Sequence, residues 1–201
     1  MTSASSQPSQ GGLAFATPGD WFAVRLPRES ADARRLAAEV TAARPELAPE
    51  RPRLEGMLAS LVDACAALDV LCAYATVLDV PAGPLPASLV VSVPQLGEET
   101  LDRVALQMAA DSGSVAPPSV DFFDLPAGRT VRIEQFRQWA DPAEKHRLVS
   151  LVIQYVTHIP GTGQAALLTF SSPAVALAGQ LRLLFHQITC TLRFDGAGQE
   201  S

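Results

Sequence analysis

Three imidazoles, His146, His158 and His186, are the residues around which acid–base chemistry or metal ligation would have to be built. His146 and His158 have no other nitrogen or sulfur ligand three to five residues away, and His186 has only Cys190, so the ligand set of a zinc site is missing. Asp141, Glu144 and His146 share one short segment, and a carboxylate–imidazole group of that kind could hold a metal or move a proton. Its Asp-Pro-x-Glu-Lys-His composition is also that of a solvated turn, which is the reading adopted. His158 falls on the polar face of a strand, and His186 follows Phe185 at the border of a core-facing helix stripe.

Pro160-Gly161-Thr162-Gly163 has the look of a phosphate loop, but the informative positions differ. His158 stands where the first Gly belongs, Gln164 replaces the Lys that would reach the phosphates, and Ala165 replaces the Ser or Thr that would hold Mg²⁺. A β-rich segment follows where a helix would have to open, so the glycines read as a hairpin turn. There is no Gly-x-Ser-x-Gly elbow, and Ser171-Ser172 is explained by helix capping. Asp121 and Asp124 flank Phe122-Phe123 as strand-end acids without a third carboxylate nearby. One of these two phenylalanines points away from the main core, where a second layer of helices is expected to cover it and an uncovered ring would mark a contact patch. No catalytic residue, cofactor or metal is expected; Arg132, His158 and His186 are the candidate contacts to a ligand or partner.

The elements that must position these residues follow from periodicity. Trp21–Leu26 reads as a strand closed by Pro27, and helices are expected over Glu29–Arg44 and Arg51–Leu68, the latter with Leu54, Met57, Leu58, Leu61, Cys65 and Leu68 on one stripe. Leu71–Val80 and Ser88–Val93 form a hairpin across Pro81-Ala82-Gly83-Pro84. Glu98 and Glu99 sit in the first turn of a helix that Asp111-Ser112-Gly113 ends. Val120–Leu125 and Arg129–Trp139 pair across Pro126-Ala127-Gly128, with a bulge or strand end expected near Gln135-Phe136, where the alternation slips. Leu148–Ile159 and Ala165–Phe170 make the last hairpin, and Ser172 as N-cap with Pro173 at the first position opens a helix carrying Ala174, Ala178, Leu181, Phe185, Ile188 and Leu192. The order β-α-α-β-β-α-β-β-β-β-α implies an α+β fold, an antiparallel sheet of six or seven strands covered by helices.

The 201 residues suit a single domain over 15–194, with polar tails at 1–14 and 195–201. Hydrophobic residues make up 48% and charged residues 18%, which excludes a disordered chain, and no apolar run reaches the roughly 20 residues of a membrane span. A net charge of −6 without a basic stripe argues against a nucleic-acid partner. Met1–Gly12 has no basic residue and no apolar stretch, so a secretory signal is not expected there. Cys65, Cys72 and Cys190 lie among apolar residues without Cys-x-x-Cys spacing, as buried free thiols do, which implies a reducing, cytoplasmic setting. A Cys65–Cys72 bridge is the competing reading, and it would need an uncommon turn.

The strand Trp21-Phe22-Ala23-Val24-Arg25-Leu26-Pro27, followed by helix, antiparallel strands and a closing hairpin–helix, resembles the PsbP-like fold. That superfamily includes an extrinsic subunit of photosystem II, a Ran-binding nuclear import factor and bacterial lipoproteins. The segment Leu167–Pro173 through Phe185, Ile188 and Leu192 is similar to the ending of actinobacterial proteins of this kind. The chain departs from the family in its second N-terminal helix, Arg51–Leu68, and in having no lipoprotein signal. The resemblance implies a helix-covered antiparallel sheet that binds proteins or ligands without a shared catalytic set. The function expected is therefore a non-enzymatic, cytoplasmic protein-interaction or scaffold domain, an accessory to a secretion system, with an unidentified protein partner or a homodimer through an edge strand. The alternative is a small-molecule binder or hydrolase with a pocket between the sheet and the Arg51–Leu68 helix, to which Arg132, His158 and His186 would contribute.

Overall fold

The structure, a computed structural model, describes residues 5–6, 12–24, 31–43, 45, 48, 51, 70–80, 83–110, 113–140 and 147–194. The expected Arg51–Leu68 helix, the Asp141–His146 segment and Cys65 lie outside the described residues apart from Arg51. Two meanders build one antiparallel sheet of seven strands. The first is β4 (Phe22–Val24), β5 (Val70–Val80) and β6 (Gly83–Ser92); the second is β7 (Ser119–Leu125), β8 (Gly128–Ala140), β9 (Arg147–His158) and β10 (Ala165–Ser172). They join where β6 pairs with β10, giving the order β4-β5-β6-β10-β9-β8-β7. Short β1 (Ser5–Ser6) pairs with β3 (Ala16–Thr17), and β2 (Leu13–Ala14) pairs with β11 (Arg193–Phe194). Leu13 and Ala14, expected in the polar tail, thus close against the other end of the chain, and Leu13 is buried in the core.

Both faces of the sheet carry helices. Helices α1 (Ala31–Ala43) and α2 (Leu101–Ala109) share one face: Ala37 and Val40 pack on Ala73, Ala75 and Val77, while Leu101, Val104 and Ala105 pack on Val131, Ile133 and Val156. Helix α3 (Ala178–Cys190) covers the other, where Leu181, Phe185 and Ile188 meet Leu89, Val91, Leu151, Ile153, Tyr155, Leu168 and Phe170. The alternation of strand side chains makes this two-sided core. Phe185 stacks on Phe170 at 4.5 Å between ring centroids, and Trp21 stands edge-on to both at 6.4 Å.

Three local expectations are corrected. The register of β8 on β9 runs unbroken from Thr130 to Ala140, so there is no bulge at Gln135-Phe136; Gln135 is buried under α2 and donates to the Met108 carbonyl, which makes a polar residue tolerable on that face. Helix α3 starts at Ala178, not at Pro173. The β10 ladder continues through Ser172, whose hydroxyl donates to the Pro86 carbonyl and accepts from the Ala174 N–H, and a 3-10 turn over Val175–Leu177 fills the gap. Thr100 caps α2, so Glu98 and Glu99 precede the helix and Asp102 is the acid in its first turn. The Pro160–Gly163 segment is the expected hairpin loop between β9 and β10, with Gly161 at φ +71°.

Candidate functional site

The register of β8 places Arg132 directly opposite Tyr155 on β9 and Asp121 on β7, and Phe123 follows two residues on along the same face of β7. This is the α3 face, since Tyr155 belongs to the core beneath that helix. On α3, Arg182, His186 and Cys190 recur every four residues and so share the flank that leans toward β7 and β8. Phe185, one residue before His186, anchors the helix in the core and thereby fixes where His186 falls.

The result is a cluster of polar and aromatic groups packed at the junction between α3 and the β7–β8 hairpin. Arg132 donates from a terminal nitrogen to Asp121 at 2.7 Å, and its guanidinium lies 4.9 Å from the centre of the Phe123 ring. The His186 ring stands 4.9 Å from Phe123 and 6.1 Å from Tyr155. Arg182 donates twice to Glu134, at 2.7 Å each, in a side-by-side pair. Next to these, the buried hydroxyls of Thr130 and Thr157 bond each other at 2.6 Å.

Electrostatics sort the groups into two answered ion pairs and two neutral donors. The hydrogen bond from Arg132 is the main cause that holds the Asp121 carboxyl below the usual carboxylate range. Burial pushes the Tyr155 phenol up to about 12, so it keeps its proton, and Arg132 opposes this by its charge and by a hydrogen-bond contact short of ideal geometry. Burial, followed by the positive charge of Arg132, lowers the His186 imidazole from its ordinary value and leaves it neutral at pH 7. Arg132 Nε, the Tyr155 hydroxyl and His186 Nδ1 are buried without a hydrogen-bond partner.

Of the three residues singled out from sequence, Arg132 and His186 meet here and His158 does not. His158 pairs with Ala165 at the far end of the hairpin, on the face that carries α2. Tyr155, Glu134 and Arg182 were not singled out, and Asp121 was read only as a strand-end acid. Their signals existed, in the alternation of Arg132 with Glu134 and the four-residue recurrence on α3, but neither says which elements face each other.

A second feature lies on the opposite face of β7. Val120 and Phe122 are 37% and 40% exposed, and the helix layer expected over this position does not cover them. The Arg129 guanidinium lies 5.1 Å from the centre of the Phe122 ring. A wide-open hollow of about 450 Å³ at the start of α2, lined by Glu98, Glu99, Thr100 and Arg103, has exposed walls and is a weaker candidate. Among the described residues no group of three or more His, Cys, Asp or Glu is placed to hold a metal ion, and no helix is long and apolar enough to cross a membrane. No family model matches the chain, and no curated protein matches it in sequence.

Proposed function

We propose that this chain is a non-enzymatic protein-interaction domain that receives a partner along β7. The observation that carries the reading is the pairing of exposed Val120 and Phe122, two residues apart on one face, with a strand whose outer edge has no neighbour among the described residues. An open edge strand offers unpaired backbone N–H and C=O groups to another chain, and proteins usually blunt such an edge rather than place apolar side chains on it. An extended partner segment added beside β7 would gain the backbone bonds and cover the Phe122 ring. A cytoplasmic setting is supported by the free thiols of Cys72 and Cys190. Kinship with the PsbP-like fold is supported by the helix-covered antiparallel sheet, and an accessory role in secretion rests on that kinship alone.

The test places a photo-crosslinking phenylalanine analogue at position 122 in the full chain within its native host, with the same analogue at exposed Leu183 on α3 as the comparison. The expected outcome is a discrete adduct with one protein, or with a second copy of this chain, from position 122 only. Equal labelling from both positions, or none from 122, would overturn the proposal.

A further inference from the structure

Phe136 and Val115 fix the phase of the open edge. β9 occupies one side of β8, so the Val115 N–H that bonds the Phe136 carbonyl at 2.7 Å does so from the β7 side. Backbone groups alternate in direction along a strand, and β8 runs without a bulge against β9 from Thr130 to Ala140. Thr130, Arg132 and Glu134 therefore point toward β7 as Phe136 does, and their partners Phe123, Asp121 and Ser119 are the bonded residues of β7. The N–H and C=O groups of Val120, Phe122 and Asp124 point outward instead, and the side chains of these three share the face that carries α2. Resting on the reading of β7 as the partner edge, we propose that this edge takes an antiparallel strand of the pattern basic-x-apolar-x-apolar, with its arginine or lysine opposite Asp124 and its apolar side chains opposite Phe122 and Val120.

The inner neighbour of β7 carries the same pattern. Arg129, Val131 and Ile133 of β8 stand opposite Asp124, Phe122 and Val120, on the same face and antiparallel. An outer strand with that alternation would cover the two exposed apolar side chains from the side that β8 leaves open. Charge selects its basic residue. The Arg129 guanidinium lies over the Phe122 ring and reaches Asp102 of α2 at 3.9 Å, so two carboxylates, Asp102 and Asp124, border this end of the edge with one cation between them. An incoming cation answers the surplus, and an acid is repelled by it. Leu106, 73% exposed, follows Asp102 by one turn on the same flank of α2 and adds apolar surface further along. The antiparallel direction is that of every pairing in the sheet and the more stable one. A second copy of this chain fits less well: in the register that overlaps all three outward residues, Phe122 meets Phe122 but each Asp124 falls opposite a Val120, with no cation to answer it.

The test titrates the full chain with a blocked, fluorescently labelled peptide, Thr-Arg-Thr-Val-Thr-Ile-Thr, and follows anisotropy together with hydrogen exchange of the β7 amides by NMR. Two comparison peptides carry Glu in place of Arg, or the same residues in reverse order. The expected result is saturable binding of the first peptide, about tenfold tighter than either comparison. On binding, exchange should slow at the Val120, Phe122 and Asp124 amides, while those of Asp121 and Phe123 are slow in the free chain as well. Asp124→Lys, a change at an exposed position, should reverse the preference between the Arg and Glu peptides. No saturable binding, equal affinity for these two peptides, tighter binding of the reversed one, or a preference unmoved by Asp124→Lys overturns the proposal. So does fast exchange at Asp121 and Phe123 with slow exchange at Val120 and Phe122 in the free chain. A crosslink from position 122 alongside any of these failures would keep β7 as the partner edge and discard only the strand chemistry inferred for it, whereas absence of that crosslink removes both.

Discussion

The side chain of Glu134 is 7% exposed, and that of Arg182, which donates to both its oxygens, is 38% exposed. The two ends of this pair therefore stand in different solvents, and removing one is not equivalent to removing the other. Arg182→Ala strands a buried carboxylate and is expected to cost about 3 kcal/mol. Glu134→Gln leaves a guanidinium that can turn to water and an amide that still accepts from it, at a cost of about 1 kcal/mol. Urea unfolding of the two variants checks the order, and equal losses would mean that the Glu134 carboxylate reaches water by another route. The same asymmetry explains why sequence reading found Arg132 and His186 but missed Glu134 and Arg182. Charge and residue type are visible in the chain; the partner 48 residues away is not.

Elements were legible wherever one local pattern ruled without competition. The β9–β10 hairpin, the β7–β8 pair and the helix stripe of Leu181, Phe185 and Ile188 all fall where alternation or helical spacing puts them. The errors came where a tertiary bond outweighed the local signal. Ser172 carries the side chain of a helix cap, but its hydroxyl bonds Pro86 on a neighbouring strand, which keeps the chain in the sheet. Gln135 interrupts the apolar alternation, but the carbonyl of Met108 above it supplies the acceptor that no sequence window contains. At the β7–β8 turn, by contrast, the backbone alone decides. Gly128 has φ +120°, and an added Cβ would meet only Thr157 Cγ2 at an ordinary 3.9 Å, so strain rather than crowding sets the cost of a side chain there. Gly128→Ala should lose about 1 kcal/mol or more. Because Arg132 and Asp121 lie on the two arms of this hairpin, the loss should come with weaker protection of the β7 amides in hydrogen exchange.

At the scale of the whole molecule, the sheet has two edges that are protected in different ways. β4 is three residues long among the described residues, and brevity limits what can pair with an edge. β7 is seven residues long, its outer side is open among the described residues, and Val120 and Phe122 are exposed on it. What separates this edge from an aggregation site is its two acids, since unpaired strands without charge template further strands. Asp121 is tied to Arg132 on the α3 face, whereas Asp124 continues the Val120–Phe122 row on the other face, opposite Arg129. Asp124 is thus the charge that interrupts the apolar row, within a chain whose net charge of −6 adds a general repulsion between copies. Asp124→Val would extend the row to three apolar residues and is expected to make the sedimentation coefficient rise more steeply with concentration than in the unsubstituted chain. Adding Phe122→Lys to that variant should reverse the change. Raised salt, which screens the remaining like charges, should strengthen association of the single variant. Self-association that persists after Phe122→Lys would show that copies meet through another surface, and would detach the role of Asp124 from the edge it borders.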